Sequence, residues 1–363
     1  MTEKLETLQA SLWNDITTSK TLKDEIKRLG NAIHDIYYKG NEEFNFIAEK
    51  KCLKKIQISE EYIESNSEKA VYSLIFKADN DIQKLLCQFP RLGWIECSNW
   101  GLTVKETSEY NMLTADDSTC TIKALCVRHD GMIIVADQAN KKIKLLNQQY
   151  RIITHCDVSA EPQDVCEISF GEIAVAVDGW FTKEIQFIFE LNGQLVNGRK
   201  LELQHPCYGI SYHDGKLYIT SSTALYKYSL CGKQESKIFE DTSAKNTLWK
   251  CAVSPTGTRV YITNQSQKKL LTVGMDGSVL ASFTHPELRL PYGVHVTPAG
   301  KVLVCGKEST TVIQVDSGGK MKLATLASKW DGINFPRSVF YNKNTASIIV
   351  GHFGNDILVF RLV

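Results

Sequence analysis

What this sequence lacks narrows its chemistry. Its 363 residues hold no GxSxG elbow, P-loop, HExxH helix or EF-hand loop, so the common signatures of serine hydrolases, nucleotide binding, zinc proteases and calcium loops are missing. The eleven cysteines never form a CxxC pair, which removes the spacing of tetrahedral zinc sites. Their odd number, scattered through strand-like segments, argues against a disulfide framework. No stretch approaches the ~18 apolar residues of a membrane span. The opening MTEKLETLQ carries charges where a signal peptide needs an apolar run. The Asn264-Gln-Ser266 sequon is therefore read as incidental, and the expectation is a cytoplasmic protein with reduced thiols, off the membrane, with no metal or cofactor.

Charge of one sign is also scarce. The first 109 residues hold 15 Lys+Arg against 18 Asp+Glu, the remainder 27 against 23, so the two parts carry −3 and +4. Neither is the clear basic excess that marks a nucleic-acid binder.

Proline is absent before Pro90, and the chain up to that point reads as helix. One set of positions seven apart is Leu5, Leu12, Ser19, Ile26, Ile33, Gly40 and Ile47; the other is Leu8, Asp15, Leu22, Leu29, Ile36 and Glu43. Nine of these thirteen are aliphatic, which makes a narrow seam that needs a second helix. A single helix over residues 3–58 would be about 80 Å long at ~1.5 Å per residue, longer than any globular core. We therefore expect a helical coiled-coil region over 1–89 that makes a homodimer through Leu5, Leu8, Leu12, Leu22, Ile26, Leu29, Ile33, Ile36 and Ile47. An amphipathic helix lying along the rest of the protein is the alternative. Residues 62–86 suggest a second helix folding back, and Pro90 and Gly93 open a linker over 90–100.

After residue 118 the heptads give way to short β-branched runs. IKALCVRHDGMIIVAD from Ile122, EPQDVCEISFGEIAVAV from Glu161 and HPCYGISYHDGKLYIT from His205 repeat one pattern. LWKCAVSPTGTRVYIT from Leu248, LPYGVHVTPAGKVLVCG from Leu290 and FPRSVFYNKNTASIIVG from Phe335 continue it. Each is a strand, a tight turn and a more apolar strand. The turn glycines Gly131, Gly171, Gly215, Gly257 and Gly300 are 40, 44, 42 and 43 residues apart. Third strands such as KKIKLLN and EIQFIFEL follow, with a weaker fourth. Four antiparallel strands every ~40–45 residues is the signature of a propeller blade, which predicts an all-β six-bladed propeller over 101–363. The sixth unit ends after its third strand, so residues 101–113, which alternate as a strand should, are expected to supply the missing one and close the ring.

The unit P-x-(G/S/D)-(V/I), a turn glycine and then hhVhD/T resembles the NHL repeat. A heptad region followed by a short linker and six such blades resembles the C-terminal half of tripartite-motif (TRIM-NHL) proteins, in style closest to the expanded molluscan set. The chain departs from that family at its start. Only Cys52 and His34 precede residue 87, too few ligands for a RING finger or B-boxes, so the family's ubiquitin-ligase activity does not carry over. What the resemblance implies is a non-enzymatic scaffold that recognises a protein partner, for instance a ubiquitination substrate of a fuller-length relative. RNA is the alternative ligand, since some relatives bind single-stranded RNA through this face.

Propeller hydrolases and lactonases hold a metal with acidic side chains at the channel mouth. The positions that open the innermost strands here are Lys123, Asp164, Tyr208, Lys250, Tyr292 and Arg337, with one acid among them, which suits a divalent cation poorly. With Trp249 they mix flat aromatic faces and cations, suited to an acidic, aromatic-rich peptide or to stacked bases. Loops on the same rim add Lys141, Lys142, Trp180, Phe181, Lys268, Lys269 and Phe353. His205 and His295 are read as structural histidines.

Overall fold

The computed structural model describes residues 104–169 and 171–362, together with Thr21 and Arg28, both helical. The heptad positions from Leu5 to Ile47, the rest of the 1–89 region expected to be helical apart from Thr21 and Arg28, and the 90–100 linker lie outside the described residues. Among the described residues no helix is long and apolar enough to cross a membrane.

Twenty-four strands form six four-stranded antiparallel sheets. Blades one to five occupy residues 122–157, 162–202, 209–240, 251–283 and 291–328, each in strict sequence order. Blade six combines Ser338–Asn342, Ser347–Gly351 and Asp356–Leu362 with Val104–Asn111, which pairs antiparallel to the last of these. Thr107 faces Phe360 and Tyr110 faces Ile357 across this seam. The clasp continues past the strand: the Met112 amide donates to the Asn355 carbonyl at 2.7 Å, and the Cys120 amide to Asn355 Oδ1 at 2.7 Å. The ring is thus shut by main-chain pairing between distant segments, and no blade is left with an open edge at that seam.

The apolar pattern explains why sheets rather than helices form and why they stack in a ring. In every blade the second strand is buried on both faces, as in Ile133–Asp137 and Ser347–Gly351, and so reads as an unbroken apolar run. Outermost strands alternate or face solvent, as in Gln234–Glu240. Six apolar clusters result, each shared by two neighbouring blades. Ile134, Ile143 and Leu145 of blade one, for example, pack on Val165, Val175 and Val177 of blade two. Fully burying one such side chain contributes about 1.5–3 kcal/mol.

The five turn glycines all have positive φ, between 67° and 85°, the region a Cβ disfavours. In blade three Asp214 and Gly215 are both left-handed, at 46° and 71°, the conformation of the tight hairpin turn that matches strand twist. The sixth unit places Ala346 at φ 46° in the same role.

The residue ending the second strand, written D/T in the repeat, ties one blade to the next. Thr220 Oγ1 donates to the Trp249 carbonyl at 2.5 Å and Thr263 Oγ1 to the Tyr292 carbonyl at 2.9 Å. Asp178 instead accepts from the Cys207 amide at 3.1 Å. These bonds fix the backbone where the next innermost strand begins, which is where the candidate site lies.

Candidate ligand-binding channel mouth

Innermost strands from all six blades line a central cavity of about 250 Å³. Because the four strands of a blade alternate in direction, two sets of loops meet at the end where the innermost strand starts. These are the connectors from the preceding blade and the loops between second and third strands. That face carries the mouth.

Lys123, Trp249, Lys250, Tyr292 and Arg337 converge there. The Lys123 ammonium nitrogen lies 5.3 Å from the centre of the Tyr292 ring and 5.7 Å from that of Trp249. Trp249 stacks on Tyr208 with centroids 4.3 Å apart and meets Tyr292 at 5.6 Å. Arg337 sits over the Phe353 ring at 5.7 Å. Lys307, which sequence reading passed over, also meets Tyr292, its nitrogen 5.3 Å from the ring centre. It opens the four-residue loop Lys307–Thr310, equivalent to Gln138–Lys141 and Gln265–Lys268. The conserved geometry of that turn in the repeat was the signal that could have found it.

Several expected rim residues are walls and floor of the mouth. Lys123 is 6% exposed and Tyr292 4%, because each continues directly into a strand packed between blades. Lys250 is turned inward: its Nζ lies 3.0 Å from Asp164 Oδ1 and also donates to the Gln163 carbonyl. Asp164 further accepts from the Ile210 and Val165 amides, each at 3.1 Å. Burial pushes the Asp164 carboxyl up and the Lys250 ammonium down, and each charge offsets the other's penalty. The one acid among the opening positions is therefore engaged.

Lys123 has no such counter-ion. Its amine is lowered to about 7, first by burial and then by the positive charges of Lys250, Arg337 and Lys307, with only Glu161 opposing. Lys307 is also lowered, by burial and by Arg337. A further donor at the mouth, Arg337 Nε, is buried without an acceptor, while Trp249 is turned to the Tyr292 hydroxyl. Among the described residues the Arg337 guanidinium otherwise reaches the Gln138 amide oxygen, at 3.5 Å. The mouth thus holds four cations, three aromatic rings and unfilled N–H groups, a surplus of donors over acceptors.

The outer loop residues differ among themselves. Lys141 and Lys268 are exposed at left-handed turn positions, while Lys269 is half-buried at the start of a strand. Lys142 is taken up by Asp117 at 2.8 Å and Thr114 at 3.3 Å, so it is a structural ion-pair member. Trp180 is 95% exposed and Phe181 wholly so, with Phe353 half-exposed. Trp330 and Phe335, absent from the expected set, are exposed in the connector that leads into blade six on the same face.

His205 bridges the Pro206 carbonyl and the Tyr228 hydroxyl, both at 2.8 Å, a structural role. His295 lines the cavity against Phe340, ring centres 3.8 Å apart, and burial lowers it to about 3, so it is a neutral imidazole. Away from the mouth, Asp117, Cys120 and Asp137 cluster as metal ligands might. The Lys144 ammonium already occupies their centre, 2.7 Å from both carboxylates and 3.2 Å from the Cys120 sulfur. Burial alone would raise the Asp117 carboxyl, but hydrogen bonds from Lys142, Lys144 and Thr114 outweigh it and hold the group below the usual range. A divalent cation would have to displace that ammonium.

No family model matches the chain, and no curated protein matches its sequence. Solved structures do. Virginiamycin B lyase from Staphylococcus aureus is 13% identical with a TM-score of 0.53, over 71% of this chain and 99% of that one. A luciferin-regenerating enzyme is 12% identical with a TM-score of 0.55, over 70% and 95%. A Bacteroides thetaiotaomicron protein of unknown function gives 12% and 0.57, over 72% and 73%. Such low identity speaks to the six-bladed fold alone.

Proposed function

We propose that the propeller is a non-catalytic binding module that takes an acidic, aromatic-containing segment of a protein partner on its loop-bearing face, with the channel mouth as anchor. The observation that carries this reading is the coincidence of two features on one face. The cationic, aromatic mouth lies among loops that expose Trp180, Phe181, Trp330, Phe335 and Phe353. Exposed aromatics grouped on one face mark an interaction surface, because each buries much area on docking at small entropic cost. In this reading the heptad region pairs two chains and presents two propellers, the arrangement that the tripartite-motif resemblance implies.

Two propellers of the same fold are named as a lyase and a luciferin-regenerating enzyme. For this chain, the donor set at the mouth argues for binding: its only opening carboxylate is spent on Lys250, and the positive charges of Lys307 and Arg337 would repel a catalytic divalent metal.

An array of short peptides varied in acidic and aromatic content tests the proposal. Bound sequences should pair Asp or Glu with Trp, Tyr or Phe, and Trp180→Ala/Phe181→Ala should weaken them by about tenfold or more. Single-stranded RNA forms the second arm. Binding to RNA but to no peptide, falling steeply between about 50 and 200 mM salt, would replace the protein partner with a nucleic acid.

A further inference from the structure

We propose that the mouth seats one oxyanion of the ligand, a carboxylate or a phosphate on a flat apolar group, between Lys123, Lys307 and Arg337. The inference rests on the binding reading above and adds what is bound at its centre and what regulates it.

The geometry asks for such a group. Lys123 and Lys307 both lie 5.3 Å from the centre of the Tyr292 ring, with Arg337 close enough to depress both amines. Among the described residues no acceptor hydrogen-bonds the Lys123 amine, although the residue is only 6% exposed. Arg337 Nε is buried and likewise without an acceptor. Unmade hydrogen bonds from buried donors cost about 1–3 kcal/mol each, and an oxyanion, with its several lone pairs, could fill them together. The aromatic walls of Tyr208, Trp249 and Tyr292 would take the flat group that carries it.

The charged groups around Lys123 set the proton coupling. Arg337 comes from the segment opening blade six, Lys250 from blade four and Lys307 from the blade-five loop. Glu161, held by the Gln138 amide at 2.5 Å, opposes them only in part, and Asp164 is paired with Lys250. Burial and these positive charges lower the Lys123 amine to about 7. A bound oxyanion supplies the missing negative charge, raises the amine again and draws a proton from solvent. Affinity should fall as pH rises above about 7, towards about tenfold per pH unit.

Calorimetric titration of the full chain tests this with three small probes: 3-(4-hydroxyphenyl)propionate, its neutral amide and phenyl phosphate. Each is titrated at pH 6 and pH 8 in buffers of different ionisation enthalpy. We expect an anion to bind and the amide to fail. Proton uptake should approach one per site at pH 8 and nearly vanish at pH 6. Lys123→Met should abolish the uptake, whereas Lys307→Met should weaken binding and leave the uptake in place. A tighter carboxylate points to an acidic side chain or chain terminus, and a tighter phosphate to a phosphorylated residue. Equal binding of the amide, binding at pH 8 without proton uptake, or no binding of either anion overturns the inference. Peptide binding on the array that survives Lys123→Met would leave the docking face standing without this anion seat, so the two readings fail separately.

Discussion

Replacing Lys123 by methionine should stabilise the propeller, and by an amount that depends on pH in a defined direction. The lysine is 6% exposed among other cations, and its amine is lowered from the ordinary 10.5 to about 7. At ~1.4 kcal/mol for each pH unit of that gap, the charged amine costs the folded state at most about 5 kcal/mol. Below about pH 7 the lysine is protonated in both folded and unfolded chains, and the cost is present in full. Between about 7 and 10.5 the unfolded amine is charged and the folded one neutral. Wild-type stability therefore climbs with pH across that window as the cost is relieved.

Methionine carries no charge, so its advantage is greatest at low pH. Against it stands the loss of two cation–π contacts to Trp249 and Tyr292, about 0.5–2 kcal/mol, part of which a thioether packed on the same rings restores. Water entering the mouth lowers the ceiling further. The expected gain of Lys123→Met over wild type is larger at pH 6 than at pH 10 by about 2–4 kcal/mol. Urea unfolding followed by far-ultraviolet circular dichroism at pH 6, 8 and 10 measures it. A gain that is the same at pH 6 and pH 10, or a variant more strongly destabilised at pH 6, would refute the account of the mouth as an uncompensated cationic site. Stability gained in this way should come with loss of anion binding, the usual exchange at a functional site.

Other outcomes follow from the same physics. Lys144→Met leaves Asp117 and Asp137 buried without their shared cation, and should cost about 3–5 kcal/mol at pH 7 by urea titration. In wild type both carboxyls sit below their usual range, so their contribution is present above about pH 4 and is lost as pH falls through their folded values; in the variant the deficit should shrink in acid. Deleting residues 104–111 reopens the edge at Asp356–Leu362 and should lower the melting temperature and promote association, read by calorimetry and light scattering. Aspartate at Leu22, Ile26, Leu29 and Ile33 should convert a dimer to a monomer with its propeller intact; a wild-type chain that is monomeric at tens of micromolar would remove the seam's proposed role.

The sequence by itself determined the blade count and the closing device. Both follow from local physics: a turn that needs positive φ every forty-odd residues marks each hairpin, and Gly131 through Gly300 adopt it. A second strand buried on both faces must read as an apolar run, and it does. The shortage of a fourth strand after Asp356–Leu362 was likewise countable, and Val104–Asn111 fills it. The positions opening the innermost strands could also be named, since pseudo-symmetry carries equivalent residues to one end of the channel. What only the tertiary structure decided is which of them remain available to a ligand. Lys250 and Lys123 occupy equivalent places in the repeat, yet Asp164 from a different blade neutralises one while the other faces aromatic rings and mostly cations. Lys142 is likewise held by Asp117, far from it along the chain. Lys307 enters the mouth from a loop whose place in the repeat is legible, but only the structure shows that its lysine meets Tyr292. Charge pairing across a ring is a long-range property, set by side chains dozens of residues apart, whereas turns and apolar runs are written within a few residues.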